Sequence, residues 1–310
     1  MMKSPTILAV GAAYIDRRGQ VSGALVPAAS NPGTMREAVG GAVFNALCCA
    51  VRRGVSGSLL SVRGGDVLAD TVSRAIAAAG IADLSVVFLD RRTPSNTTLV
   101  DSDGALIVGL ADMTLYDLAL PKQIRRAKVR EAISTADAVL CDANLPSTAL
   151  ERLVALAAGK PVFALAVSPA KAVRLAPVLG SLALLFMNRH EAIALADVGI
   201  GAAEQDIAAG LRRAGLKSGV VIADDGPVLG FDGAGAFSIL PPRKVSDSAA
   251  DALAGATVAA LQRGLTLRAA LREGVAAAML ASEGAELVPA FTAASFAEAL
   301  ALVPEVQNLA

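Results

Sequence analysis

Two rhythms of apolar and polar positions alternate along this chain. Short apolar runs bounded by Gly, Asp or Asn read as strands, and longer stretches with Ala, Leu and Val at helical spacing read as helices. The run Thr6–Val10 stops at Gly11, as a buried parallel strand would, and Asp16 follows just past its C-terminal end, where α/β sheets place ligands. Residues 17–39 are polar and turn-rich, with a turn at Ser30-Asn31-Pro32-Gly33. Gly40-Gly41 leads into a predicted helix over 42–53, followed by a strand at 58–62, a helix at 67–79 and a strand at 84–89. Segments 97–100 and 105–108, joined by Asp101-Ser102-Asp103-Gly104, read as a β-hairpin that interrupts the βα alternation and could flap over a site.

After Ala111-Asp112-Met113 a more polar helical stretch runs to Thr135, and the alternation then becomes regular. Strands are predicted at 138–141, 162–167, 182–187 and 219–223, and helices at 148–158, 169–175, 191–197 and 203–214. A turn at Asp224-Asp225-Gly226 precedes a second hairpin, 228–231 with 236–240. The stretch 244–264, KVSDSAADALAGATVAALQRG, is a polar turn running into an Ala-rich helix, and helices at 266–281 and 293–302 follow. Strands alternating with helices imply a mostly parallel sheet covered on both faces. With no repeat, low-complexity tract or linker, residues 1–310 read as one α/β domain.

Composition narrows the classes. Lys+Arg and Asp+Glu balance at 28 each, so no net field draws the chain to a nucleic acid polymer or a membrane surface. No apolar run reaches the roughly 18 residues of a membrane span, and the opening MMKSPTILAVGAAYID reads as a first strand rather than a signal peptide. Cys48, Cys49 and Cys141 read as reduced, buried thiols, so a cytoplasmic protein is expected. A single histidine, His190, beside two charged neighbours, argues against a His-based triad or a His-rich metal site.

The candidate chemistry begins at the Ala-rich helix. Ser246, Asp247 and Ser248 are all N-cap types, and free N–H groups with the positive end of the dipole make the helix start an anion site. Asp251 would lie in the first turn. Alone, this is a capped helix with a solvated acid. A second stretch, VGGAVFNA over 39–46, changes its meaning. Gly40-Gly41-x-x-x-Asn45-Ala46 resembles the N-terminal signature of the ribokinase-like (PfkB) carbohydrate kinases, and Ser246 to Asp251 lies where that family has Asp-Thr-x-Gly-Ala-Gly-Asp. The order of elements between them is similar too. Ser30-Asn31-Pro32-Gly33, Ala111-Asp112-Met113, Asp142-Ala143-Asn144-Leu145, Val167-Ser168-Pro169-Ala170-Lys171-Ala172 and Asn188-x-x-Glu191 resemble the pseudouridine kinase branch.

The resemblance implies a doubly wound α/β domain with a small β lid, built from elements near 12–39 and 92–112. It implies transfer of the ATP γ-phosphoryl group to a primary hydroxyl of a sugar or nucleoside, pseudouridine the leading candidate. Asp251 would be the base, beside an anion hole of Ser248, Ala249 and Ala250, with Ala223 and Gly226 on the nucleotide side. Asp16, Gly40, Gly41 and Asn45 would hold acceptor hydroxyls, and Asn31 and Asp112 would reach the acceptor from the lid. Asn188 and Glu191 would place Mg²⁺ through water. A monovalent cation and a homodimer paired through the lid stay open. Each residue also has a plainer reading: Gly40-Gly41 a tight turn, Asn45 a surface helix residue, Asp16 an Asx turn, Asn188 with Glu191 a capping box, Lys171 a solvated helix position.

Departures from the family cluster on the nucleotide side. Ser248-Ala249-Ala250-Asp251 replaces Gly-Ala-Gly-Asp, Asp247 stands for Thr, and Val221-Ile222-Ala223 replaces a Thr-Leu-Gly-like strand end. Each added Cβ narrows the approach to a phosphate, and Asp247 adds negative charge. Two accounts follow: a kinase with altered donor handling, or a binding protein of weak or absent activity. A dinucleotide-dependent dehydrogenase is disfavoured, since no Gly-x-Gly-x-x-Gly follows the first strand.

Overall fold

The computed structural model describes residues 4–223, 226–246, 249–283 and 290–309. Along the chain, β1 (Thr6–Val10) passes through Gly11 to Ala13 into β2 (Tyr14–Val21) and β3 (Gly33–Gly40). Then come α1 (Ala42–Arg52), β4 (Ser56–Leu60), β5 (Val62–Gly64), α2 (Val67–Ala78), β6 (Ala82–Asp83), β7 (Val86–Phe88), and the hairpin β8 (Ser95–Val100) and β9 (Leu106–Asp112). After α3 (Thr114–Gln123) and α4 (Ala127–Thr135) the order is β10 (Ala138–Asp142), α5 (Ser147–Leu156), β11 (Val162–Leu165), α6 (Pro169–Ala172), a 3₁₀ segment (Val173–Ser181) and β12 (Leu184–Asn188). The rest is α7 (Arg189–Ala196), α8 (Glu204–Arg213), β13 (Gly219–Ile222), β14 (Val228–Asp232), β15 (Gly235–Ile239), α9 (Ala250–Gln262), α10 (Leu267–Glu283), α11 (Ala293–Leu302) and β16 (Gln307–Asn308).

Among the described residues, ten strands form one sheet in the order β16-β15-β14-β13-β12-β11-β10-β1-β4-β6. The β13-to-β6 part is parallel, and the β14, β15 and β16 pairings are antiparallel. This is the expected doubly wound sheet. Its central strands read clearly because both faces are covered: Ile7 and Ala9 point into one apolar layer with α1, α9 and α10, and Leu8 and Val10 into the other with α3 and α5. The chain leaves β1 towards β4 on one side and later fills β10 onward on the other. The strand order therefore reverses between β1 and β10, and a ligand crevice belongs at their C-terminal ends.

A second sheet has the order β3-β2-β8-β9. Residues 17–39, expected as turns, instead contribute most of β2 and β3, antiparallel over the full register from Tyr14 opposite Gly40 to Val21 opposite Gly33. Burial cannot reveal them, since β3 is exposed along most of its length. The ladder holds them, and the predicted hairpin partner β8 adds to β2 in parallel. Of the strand expected at 84–89 only β7 forms, paired with β5, while β6 just before it pairs with a different strand, β4. Among the described residues, no helix is long and apolar enough to cross a membrane.

Candidate active site

Helices α1 and α9 meet backbone to backbone. Gly255 in α9 faces the Ala46 carbonyl of α1 so closely that a Cβ there would run into that oxygen, and it would lie 2.9 Å from the Cys49 Cβ. The Cys49 thiol donates to the Ala252 carbonyl at 3.3 Å. This approach joins residues 206 positions apart: Asn45 Nδ2 donates to Asp251 Oδ2 at 2.9 Å. Asn45 is not on the surface; it is 5% exposed, and its Oδ1 has no hydrogen-bond partner among the described residues.

Asp251 and Ala250 form one wall of a cavity of about 590 Å³ at the C-terminal ends of the strands. Leu165, Phe186 and Ile222 line it from the large sheet, Tyr14 and Thr98 from the small one, and Asn188 and Glu191 from the start of α7. The first N–H groups of α9 have no intrahelical partner, and two residues of that first turn, Ala250 and Asp251, line the cavity. Burial pushes the Asp251 carboxyl up to about 7, with the charges of Asp142 and Glu191 adding to the shift and the Asn45 hydrogen bond opposing it. Asp142, fully buried at the end of β10, is also pushed up by burial, although its two oxygens accept from the Ala12 and Asn144 amides at 3.0 and 2.9 Å.

Asn188 and Glu191 form a complete capping box: Asn188 Oδ1 accepts from the Glu191 amide at 2.9 Å, and Glu191 Oε2 accepts from the Asn188 amide at 2.8 Å. The plainer reading of this pair is therefore present, and both residues line the cavity as well. Among the described residues, no three His, Cys, Asp or Glu side chains converge as a direct metal cage.

Asp16 lies on β2 with its Oδ1 accepting from Asn96 Nδ2 of β8 at 2.9 Å. It shares a strand face with Tyr14, as Asn96 does with Thr98, and Tyr14 and Thr98 are the cavity residues of these strands. Gly40 ends β3. Gly41, at φ 129, caps α1 and packs against the Ala12 carbonyl where a Cβ would not fit. Asn31 sits apart: its side chain is used within its own loop, Oδ1 accepting from the Val26 amide at 2.8 Å and Nδ2 donating to the Val26 and Ala29 carbonyls. Asp112 is the exposed last residue of β9 and does not line the cavity. Ala249 is buried beneath the α9 start. Ala223 and Gly226 line a second cavity of about 250 Å³ with Leu240, Pro241, Pro242 and Lys244. Ile222 belongs to the first cavity and Ala223 to the second, so the two adjoin at the end of β13. Ser248 and Asp247, with the turn residues Asp224 and Asp225, lie outside the described residues.

Sequence reasoning left Tyr14, Asn96 and Thr98 unassigned. The signal was faint: Asn96 and Thr98 stand in a short, mostly polar strand, SNTTLV, with no apolar alternation, and their place near the cavity comes only from β2 lying alongside.

The profile of the pfkB family carbohydrate kinases matches residues 4–287. The pseudouridine kinase of Escherichia coli (strain K12) is 27% identical over 220 residues, 70% of this chain and 70% of that protein. A carbohydrate kinase from Agrobacterium tumefaciens has a solved structure that is 41% identical, with a TM-score of 0.87 over 98% of this chain and all of that one. Arabidopsis thaliana ribokinase complexed with ribose and ATP is 20% identical and shares the fold, with a TM-score of 0.82 over 96% of this chain and 99% of that one.

Proposed function

The chain belongs to the pfkB family of carbohydrate kinases, and from that premise we propose that it phosphorylates a nucleoside, pseudouridine, with Mg-ATP as donor. The observation that supports this reading most is the Asn45–Asp251 pair at the α9 start, facing a cavity that the small sheet covers. Phosphoryl transfer asks for positioning and charge stabilisation more than covalent chemistry. Asp251 takes the proton of the acceptor's primary hydroxyl. Asn45 fixes one of its oxygens and leaves the other for that hydroxyl. A carboxyl titrating near neutrality suits a general base. The unpartnered Asn45 Oδ1 accepts from an acceptor hydroxyl. Asp16, held by Asn96, accepts from a vicinal pair of hydroxyls. The α9 N-terminus stabilises charge on the moving phosphoryl group.

Mg²⁺ suits the donor set, since Asn188 and Glu191 offer hard oxygens beside a second carboxylate. The single amide oxygen of Asn188 and one carboxylate oxygen of Glu191 are engaged in the capping box, so they would hold the ion through water, and the ion would supply charge neutralisation for the polyphosphate. The adenine end of ATP fits the second cavity, with its Pro and Leu walls and a lysine. The small sheet acts as a lid, and its exposed Met35, Leu106 and Leu110 suit a homodimer paired through it. The alternative, binding without efficient transfer, draws on Ala250: its Cβ stands at the cavity wall where the family has glycine.

A thermal-shift and turnover series with pseudouridine, uridine and ribose, each with and without Mg-ATP, tests this reading. A ligand at a hundred times its dissociation constant stabilises by about 2.7 kcal/mol, which raises Tm by several degrees. Pseudouridine and Mg-ATP should each raise Tm, and together give ADP. Pseudouridine binding with neither an Mg-ATP shift nor turnover selects the binding-protein alternative, and no shift with pseudouridine discards it as acceptor. In the same series Asp16→Ala should weaken pseudouridine binding roughly 10- to 100-fold, the loss of a hydrogen bond to a charged partner, and leave ATP affinity within about twofold. Equal weakening of both ligands in calorimetry would remove Asp16 from the acceptor site.

A further inference from the structure

Residues Gly11 to Ala13 carry the chain from the large sheet into the small one, at the point where the strand order reverses. Ala12 and Ala13 are fully buried, yet β1 has ended and the ladder no longer satisfies their backbone. Side chains take over. Asp142 Oδ2 accepts from the Ala12 amide at 3.0 Å. Tyr116 satisfies both polar groups of Ala13 with one hydroxyl: it accepts from the Ala13 amide at 3.0 Å and donates to the Ala13 carbonyl at 2.9 Å. Ser61 Oγ shares the same amide at 3.2 Å.

Tyr116 belongs to the first turn of α3, four residues past Asp112, where the chain comes back from the small sheet. Its hydroxyl therefore ties the outgoing strand connection to the returning one. Gly41, on the connection from β3 to α1, packs against Ala12 in the same place. Three of the crossings between the two sheets thus converge on two alanines. Burial pushes the Tyr116 phenol above its ordinary range, so it stays protonated and keeps donating at any working pH.

We propose that Tyr116 is a positioning residue for the acceptor: by fixing Ala13 it sets the angle of β2, and with it Tyr14 at the cavity wall and Asp16 beyond. The inference rests on the reading of Asp16 as an acceptor ligand. A buried tyrosine that merely satisfies its own hydroxyl would predict something different, a loss of stability spread evenly over all functions.

Tyr116→Phe keeps the ring and removes both bonds. With pseudouridine as the probe, KM for pseudouridine should rise about tenfold, while kcat and KM for ATP stay within about twofold. In the ligand-free protein, amide exchange should speed up in Tyr14–Val21 and Ser95–Val100 and not in the central strands. Ser61→Ala, which removes only the longer contact, should raise KM for pseudouridine less than threefold. The proposal is overturned if Tyr116→Phe leaves exchange in the small sheet unchanged, if all kinetic constants decline together with Tm, or if Ser61→Ala matches it. Absence of pseudouridine binding by the wild type is a failure of the substrate reading instead, and the exchange comparison still decides the role of Tyr116.

Discussion

Asp251→Asn is expected to lower kcat by about 10³-fold, within the 10²- to 10⁴-fold range of a lost general base, with KM for pseudouridine changed less than about threefold. The amide can still offer an oxygen to Asn45 Nδ2, so the α1–α9 contact survives. The same variant has a second, pH-dependent signature. The folded-state value of about 7 lies above the unfolded value of roughly 4. Below pH 4 the wild-type carboxyl is protonated in both states and costs nothing. Between pH 4 and 7 the folded state holds a proton that the unfolded chain has lost, so stability falls as pH rises, and above 7 the full cost of the buried charge is present. That cost is on the order of a few kcal/mol, reduced because Asp251 is only partly shielded from solvent. The Asn variant should therefore melt several degrees above the wild type at pH 8 and within a degree or two of it at pH 4.5. Wild-type kcat/KM should fall below a midpoint near 7. Near wild-type turnover in the variant would take Asp251 out of the mechanism, and a Tm gap constant with pH would mean the carboxyl is not perturbed.

The physical reasons for what the sequence revealed differ from element to element. β1 and β10 to β13 were legible because strands covered on both faces read as uninterrupted apolar runs. β2 and β3 were not, because β3 is exposed along most of its length and the covered face of β2 carries Arg17 and Gly19 between Ile15 and Val21, so neither shows an apolar alternation; ladder hydrogen bonds determine them. β16 is two residues long and depends entirely on β15 as a template. At the candidate site, Asp251 and Asn45 could be picked out as residue types at signature spacing. Their mutual contact could not, since it depends on how closely two helices approach. Asn96, Tyr116 and Asp142 were harder still. Each acts through a partner far along the chain, Asp16, Ala13 or Ala12, and nothing within a local window marks such a pair.

Gly255→Ala is expected to destabilise the protein, against the usual sign of such a change. In a helix interior Ala is favoured over Gly by about 1 kcal/mol, because glycine loses more backbone freedom on folding. Gly255 sits in the middle of α9 with ordinary helical geometry, so that gain is available. Opposing it, the new methyl points at the Ala46 carbonyl oxygen and the Cys49 Cβ of α1. The obstacle is backbone, so no rotamer change relieves it, and the helices must separate by roughly an ångström. Overpacking of this kind costs about 1–3 kcal/mol, and more where a rigid contact is forced apart. Asn45 and Asp251 ride on these two helices, one turn or less from the collision, and their 2.9 Å bond would lengthen with the separation. The clash outweighs the propensity gain: a net loss of about 1–2 kcal/mol, a Tm several degrees lower, and kcat reduced at least tenfold while the Mg-ATP shift persists. Differential scanning calorimetry and initial rates on the purified variant decide it. A Tm equal to or above that of the wild type would mean that α1 and α9 have room for the methyl, and that the alignment of Asn45 with Asp251 does not depend on their close approach.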